Sequence, residues 1–312
     1  MTVEVPELRD SATTVRLKLR YGHSAKVHKG ASAELREKHG VKKKRTAQVR
    51  VDPFECEALD SARKVGSQLR QEHKDMTLAW HDPERLLVNT IAHQYDRITT
   101  DLSGKIRSNM ETFFLSLPQL RQNWFNNGGG LAANGTFVDR RGNNTGIKWP
   151  SEEEARSKFV LDIIPGTVSE VGDLRFNGLP EEMRDRFKKD IIAAENRRVS
   201  NTVRDVSDRV SNVLNRVIDR MKEYGTDESG KVKGKFTHTL IPNVREMAEL
   251  LGHFNITNDP HVEEVRRRLV TEICQVDQSK LKDNAELREN LGNAAEDILA
   301  RVSAFGQAPR ND

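Results

Sequence analysis

Cysteine and aromatic side chains are scarce in this chain. Its 312 residues include two cysteines, Cys56 and Cys274, and only 5% aromatic residues. Two cysteines so far apart exclude a disulfide framework and a zinc site built on several thiolates. Hydrophobic residues make up 36% and charged residues 31%. This balance predicts a thin core and long amphipathic helices with much exposed surface.

Long apolar runs are also missing. No run approaches the roughly 18 apolar residues that a membrane span requires. The first ten residues carry Glu4, Glu7 and Asp10 without an apolar segment, which is unlike a signal peptide. We therefore expect a protein of the cytoplasm with no membrane partner.

Recognisable catalytic motifs are absent from the sequence. The nine histidines include no His-Glu-x-x-His, and there is no Gly-x-Ser-x-Gly elbow. The Gly/Asn-rich stretch 126–146 lacks the Gly-Lys-Ser/Thr ending of a phosphate-binding loop. We expect no catalytic residues, no cofactor and no metal. An active site assembled from distant residues would leave no such motif, so this expectation rests on local patterns alone.

The longest uninterrupted pattern runs from Pro180 to Tyr224, with no glycine and no further proline. It predicts one helix about 65 Å long, whose apolar residues recur every three or four positions. A second long helix is predicted to open at Asp82-Pro83 and to end at Pro118. The predicted fold is mainly α, an elongated antiparallel long-helix hairpin resembling a coiled-coil bundle. The predicted stripes are Met183, Phe187, Ile191, Val199, Val203, Val206, Val210, Val213, Val217 and Met221, and Leu87, Ile91, Tyr95, Ile98, Leu102, Ile106, Met110, Phe113 and Leu117.

Shorter patterns complete the predicted organisation. Alternation over 14–21 predicts a strand, followed by a short helix near 32–39, a second strand ending at Val51, and a helix opened by Asp52-Pro53. Thr136 to Val138 suits a small strand, and Ser151 with Glu154 forms a capping box for a helix reaching Ile164. The predicted segments are a basic N-terminal part (1–51), the helical hairpin (52–224) with a Gly/Asn-rich tip (125–179), a linker (225–235), C-terminal helices (236–305) and a disordered tail (306–312).

Positive charge is concentrated at the N-terminus. Residues 1–50 carry thirteen Lys and Arg against five Asp and Glu, a surplus of eight, whereas the whole chain carries +4. A basic segment of this kind can contact nucleic acid or an acidic partner, or it can be a solvated face that protects a strand edge. The candidate contacts are Arg16, Arg20, Lys42, Lys43, Lys44 and Arg45.

Aromatic residues cluster at the predicted tip. Trp124, Phe125, Phe137 and Trp149 are candidate contacts for a protein partner, because exposed aromatic side chains often anchor interfaces. They can equally form a small local core. Under the first interpretation, deletion of residues 127–146 removes a partner and leaves helicity nearly unchanged.

Several segments together resemble the phage- and plasmid-borne family catalogued as domain of unknown function 3150. They occur in the expected order between about residues 40 and 275. The segments are Thr77-Leu78-Ala79-Trp80, Arg85-Leu86-Leu87, Trp149-Pro150-Ser151 through Phe159, Gly172-Asp173-Leu174-Arg175-Phe176, Phe236 through Leu250, and Asn255-Ile256 before Asp259-Pro260.

The resemblance implies a helical protein with no assigned catalytic residues that works beside a MoxR-type AAA ATPase. We expect a non-enzymatic, phage-type structural or adaptor protein that acts through protein contacts, in the host cytoplasm if phage-encoded. Self-association into a homo-oligomer is compatible with this role. The alternative is a sequence-independent nucleic-acid-binding protein that uses the basic N-terminal segment.

Overall fold

A computed structural model describes most of the chain. The described residues are 10–22, 26–27, 29–40, 50–51, 54, 56–127, 130–131, 136–138, 144–168, 180–226, 232–233, 239–255 and 259–305. The predictions for Lys42 to Arg45, the cap at Asp52-Pro53, Gly172 to Phe176 and the tail 306–312 lie outside these residues.

The described part of the chain is mainly helical and contains a small antiparallel sheet. Its eight α-helices are α1 (Lys29–Lys38), α2 (Glu57–Asp75), α3 (Ala92–Asn126), α4 (Glu152–Lys158), α5 (Glu181–Glu223), α6 (Leu240–Phe254), α7 (Pro260–Arg268) and α8 (Ala285–Phe305). The strands are β1 (Ala12–Arg20), β2 (Lys26–Val27), β3 (Arg50–Val51), β4 (Leu78–His81), β5 (Glu84–Val88), β6 (Gly130–Leu131), β7 (Thr136–Val138), β8 (Asn144–Lys148), β9 (Val160–Gly166), β10 (Gly225–Thr226) and β11 (Val232–Lys233).

Two compact units divide the chain. The first contains residues 1–16, 74–93 and 165–312, and the second contains residues 17–73 and 94–164. The four-stranded sheet has the order β4-β5-β1-β9, so β4 is an edge strand. Strand β5 pairs antiparallel with β4 and with β1.

Helix α5 organises the first unit. It packs against α8, against β4 and against α6. Ser207 of α5 lies 3.4 Å from the carbonyl of Val302 in α8, and Lys222 lies 2.7 Å from Glu296. Since the residue number rises along α5 while it falls along α8, the two helices are antiparallel. At the far end of the pair, Gly292 of α8 faces Met221 of α5.

The second unit has its own core between α2 and α3. Fully buried side chains from both helices meet there, among them Leu59, Leu69, Ile106 and Phe113. Phe137 of β7 and Leu161 of β9 join the same core. The alternation predicted for residues 14–21 is confirmed, because Leu17, Leu19 and Tyr21 pack against this core.

One long helix is where the sequence predicts it, and the other is displaced. Helix α5 spans 43 residues without a break, as its uninterrupted pattern predicts. Helix α3 begins at Ala92 instead of Pro83, because Asp82-Pro83 forms the turn between β4 and β5. It also continues through Pro118 to Asn126. Leu117, Leu120 and Trp124 pack against the core of the second unit, which offsets the hydrogen bond that proline removes.

The predicted hairpin of the two long helices is not confirmed. The buried side chains of α3 lie in the core of the second unit, whereas α5 packs against α8. An apolar stripe indicates that a helix packs against another element, but it does not identify that element. Here the antiparallel partner of α5 has 21 residues against its 43, so α8 can cover only about half of it.

Two shorter predictions are corrected. The helix capped by Ser151 ends at Lys158, and Val160–Gly166 is strand β9, so the expected helical residues up to Ile164 are extended. Short apolar runs fit a helix or a strand equally well. The stretch predicted as a linker contains the antiparallel pair β10 and β11.

Candidate interaction surfaces

Helix α5 consists of two parts with different surroundings. From Thr202 onward it has a continuous buried face, with Val206, Val210, Leu214 and Val217 in the core. Between Glu181 and Asn201, Glu195 is the only buried residue among those whose side chains the structure describes. We call residues 181–201 the N-terminal part of α5.

The edge strand β4 fixes α5 at the start of its packed part. Both outward backbone groups of Ala79 bond to helix side chains. Its N–H donates to Asp205 Oδ2 at 2.8 Å, and its carbonyl accepts from the hydroxyl of Thr202 at 2.7 Å. A helix thereby covers the unpaired edge that β4 would otherwise present to solvent.

Asp205 is also the centre of a half-buried ion cluster. Arg209 Nη2 lies 2.9 Å and Arg85 Nη2 lies 3.4 Å from Asp205 Oδ2. Arg209 also donates to the carbonyls of Asp75 and Thr77, at 2.8 and 2.7 Å. These bonds connect α5 to the residues just before β4 and to strand β5 after it. This stretch of the helix is therefore firmly anchored.

Burial and charge oppose each other at Asp205. Burial would raise the pKa of its carboxyl, but the hydrogen bond and charge of Arg209, the Ala79 N–H and the charge of Arg85 outweigh burial and leave the pKa below its ordinary value. Burial lowers the pKa of Arg85, which the charge of Asp205 partly reverses. Asp205 is therefore a structural anion whose charged form stabilises the first unit.

The N-terminal part of α5 exposes large apolar side chains. Ile192 is 48% and Met183 is 36% exposed. Ile191 and Val199 are half-buried, and the ring of Phe187 lies under the guanidinium of Arg186 at 5.4 Å. Ile192 and Val199, seven residues apart, lie on the same side of the helix, whereas Met183 lies on the opposite side. An exposed apolar residue on such a face beyond a firmly held segment is typical of a surface that packs against another molecule.

Three of the four candidate tip aromatics belong to the core of the second unit. Phe137 is fully buried, and its ring centroid lies 4.8 Å from that of Trp124 and 5.1 Å from that of Trp149. Trp149 in turn stacks on Phe54 at 5.1 Å. The half-buried Phe125 lies under the guanidinium of Arg121 at 5.9 Å. This arrangement favours the local-core interpretation, and deletion of residues 127–146 would remove Phe137 from that core.

Two of the six candidate basic contacts fall on described residues. Arg16 is half-buried, and its Nε is buried without a hydrogen-bond partner. Arg20 is exposed at the end of β1. Sequence reasoning missed the other cations close to this strand, above all Arg70 of α2, which donates from Nη2 to the carbonyl of Leu19 at 3.3 Å. No local sequence signal identifies Arg70, since 51 residues separate it from Leu19.

No described group of His, Cys, Asp and Glu residues could hold a metal ion. Within the second unit, His73 Nδ1 and Tyr95 Oη form a buried pair at 2.7 Å, and burial raises the pKa of Tyr95. An open groove of about 450 Å³ is lined by Cys56, Glu57, Asp60, Ser61 and Lys64. Neither feature presents a nucleophile together with a base at hydrogen-bond distance to a solvent-accessible substrate position.

No family model, curated protein or solved structure matches this chain. The resemblance to the family of unknown function 3150 therefore stays a prediction. None of the described helices is both long enough and apolar enough to cross a bilayer. Function has to be inferred from the two surfaces described above, the N-terminal part of α5 and the basic end of β1.

Proposed function

We propose that this chain is a non-enzymatic adaptor that binds a protein partner through the N-terminal part of α5. The observation that carries the proposal is the exposure of Ile192, which is 48% exposed, on a helix whose later part has a continuous buried face. A helix paired along only half its length leaves apolar surface that a partner groove can bury, at about 25 cal/mol for each Å².

Anchoring favours binding by this segment. The contacts of Thr202, Asp205 and Arg209 with β4 and its flanks hold the helix directly after the exposed part. A segment that continues an anchored helix is already nucleated, so a partner does not have to induce its first turn. The entropy lost on binding is correspondingly smaller than for an unstructured peptide.

The composition of this segment indicates the kind of groove that fits it. From 181 to 198 it carries six Lys or Arg and five Asp or Glu, so its net charge is close to zero. A partner with an apolar groove and a mixed polar rim suits such a helix better than a strongly charged surface does. From the resemblance, we propose a MoxR-type AAA ATPase as that partner, in the host cytoplasm of a phage- or plasmid-encoded system.

Site-specific photo-crosslinking tests the proposal. A photoreactive amino acid replaces Ile192 in one sample and Arg216, an exposed residue of the packed part of α5, in the control. We expect an adduct with the ATPase from position 192 and none from position 216. The variant Met183→Glu is a second control, because Met183 lies on the opposite side of the helix from Ile192 and is not in the core. It should leave both the 192 adduct and the melting temperature unchanged. Equal adducts from both positions, or none from either, would contradict the proposal. An adduct with a second copy of the chain would show that this surface forms a homo-oligomer and does not bind the ATPase.

A further inference from the structure

The second unit carries exposed cations that form no salt bridge with any residue that the structure describes. Lys18 and Arg20 are exposed on β1, on the opposite face from Leu17 and Leu19, which pack against the core. Among the described residues neither Lys18 nor Arg20 forms a salt bridge, and neither does Arg70 of α2. Some exposed cations elsewhere are paired with carboxylates, as Arg156 is with Glu111 and Arg267 with Glu264.

The stretch of sequence around β1 supplies cations and no carboxylate. Between Asp10 and Glu34 there is no acidic residue, while five Lys or Arg occur. Strand alternation then places Lys18 and Arg20 on the same face. A face with unpaired positive charge keeps its full electrostatic attraction for an external anion, whereas a paired cation has lost most of it.

Helix α2 adds a further cation next to this strand. Arg70 donates to the carbonyl between Lys18 and Arg20, that of Leu19, at 3.3 Å. Its guanidinium also lies 5.9 Å above the ring of Tyr21. These contacts hold Arg70 beside the strand on the side of Leu19 and Tyr21, whereas Lys18 and Arg20 lie on the other face.

Tyr21 connects the strand firmly to α2. Its hydroxyl donates to the carbonyl of Ala62 at 2.9 Å, and burial raises its pKa although Arg70 and Arg63 oppose the shift, so the phenol stays protonated. Position 66 has to be glycine, because a Cβ there would lie 1.7 Å from the Tyr21 hydroxyl oxygen. The contact between Tyr21 and α2 therefore holds the end of β1 in place.

We propose that Lys18 and Arg20 bind the phosphate backbone of a nucleic acid without reading its sequence. Alternate residues of a strand lie about 6.6 Å apart, a spacing suited to successive phosphates of an extended strand, and Arg and Lys are the residues that neutralise phosphates. This role goes beyond the adaptor function and uses a different unit, so neither proposal depends on the other.

A salt titration with matched charge variants tests the inference. Binding of a fluorescent single-stranded oligonucleotide is followed by anisotropy between about 20 and 200 mM salt, where counterion release is readily measured. The test variant is Lys18→Ala with Arg20→Ala, and the control is Arg197→Ala with Arg216→Ala, which removes two exposed cations from α5.

We expect the test variant to lose at least tenfold in affinity at low salt, with a salt slope lower by about 1.4, or about 0.7 for each phosphate contact with a single strand. The control should lose less than about twofold. Absence of binding by the wild type, equal losses in both variants, or equally tight binding of a polyglutamate of the same charge would overturn the inference. Unchanged circular dichroism melting excludes unfolding as the cause.

Discussion

Asp205 accepts the outward backbone N–H of Ala79 through Oδ2 at 2.8 Å. A helix side chain thus satisfies a donor that an edge strand would otherwise offer to water or to another chain. The same carboxylate forms salt bridges with Arg209 and Arg85. One residue therefore joins strand, helix and hairpin in the first unit.

We expect Asp205→Ala to destabilise the first unit by about 2–4 kcal/mol. The substitution leaves Arg209 and Arg85 half-buried without their counter-ion, and an uncompensated charge costs more than the pair itself contributes. Asp208, on the same helix but exposed, provides the control, for which Asp208→Ala should change stability by less than about 0.5 kcal/mol. Urea unfolding followed by circular dichroism measures both, and equal effects would contradict the role of the cluster.

The pKa of Asp205 predicts the pH range in which this stabilisation disappears. Because the folded-state pKa lies below the ordinary value, the contribution is complete above the unfolded-state pKa of about 3.9 and is lost as the pH falls through the folded-state pKa. The melting temperatures of wild type and Asp205→Asn should therefore differ near pH 7 and converge as the pH falls through the folded-state pKa. A difference that grows on acidification would show that another group is responsible.

Thr202 makes the second bond to Ala79, and its removal should cost less. Thr202→Val keeps the shape of the side chain and removes the hydroxyl that donates to the Ala79 carbonyl at 2.7 Å. We expect a loss of about 1 kcal/mol in the free energy of unfolding. Ser200→Ala is the matched control, since its hydroxyl bonds only to its own helix at Asn196. A Thr202→Val protein as stable as the control would mean that the carbonyl is satisfied in another way.

Two aromatic residues near α3 distinguish a core position from a partly exposed position. We expect Phe137→Ala to destabilise the second unit by about 3–5 kcal/mol, because it removes a fully buried ring that touches Trp124 and Trp149. Phe125→Ala should cost less than about 1 kcal/mol, since Phe125 is only half-buried. Tryptophan fluorescence during denaturation measures both changes. Similar costs for the two variants would show that Phe137 does not belong to a packed core.

Local signals predicted several elements correctly because their causes are local. Ser151 accepts a hydrogen bond from the N–H of Glu154 at 3.0 Å, as the capping box requires. Asp259 caps α7 by accepting the N–H of His261. The uninterrupted stretch after Pro180 is one helix. In each case residues within a few positions of one another determine the outcome.

Predictions went wrong where distant contacts decide. Asp82-Pro83 fits a helix start or a turn equally well, and only the pairing of β4 with β5 selects the turn. The run Val160 to Ile164 has no clear periodicity, and its place in the sheet makes it a strand. The partner of α5 depends on which stripe matches it in three dimensions, and sequence periodicity holds no such information.

Local sequence signals also identified only some of the residues in the candidate surfaces. The exposed basic residue Arg20 was recognisable from strand alternation, but Arg70 was not, because α2 brings it to β1 from 51 residues away. The ion pair of Asp205 with Arg209 at i, i+4 follows from local spacing, whereas the bonds of Asp205 to Ala79 and Arg85 depend on distant residues. Burial of Phe137 depends on its contacts with α3, which residue type alone does not reveal.

Amide hydrogen exchange along α5 tests the central claim most directly, namely that this helix has a continuous buried face from Thr202 onward and is mainly exposed before it. A helix segment of about 20 residues with little tertiary packing is marginally stable, so its amides open locally at little cost in free energy. We predict that amides of residues 185–199 exchange at least tenfold faster than those of residues 206–221 in the isolated protein. Equal protection along the whole helix would contradict the account.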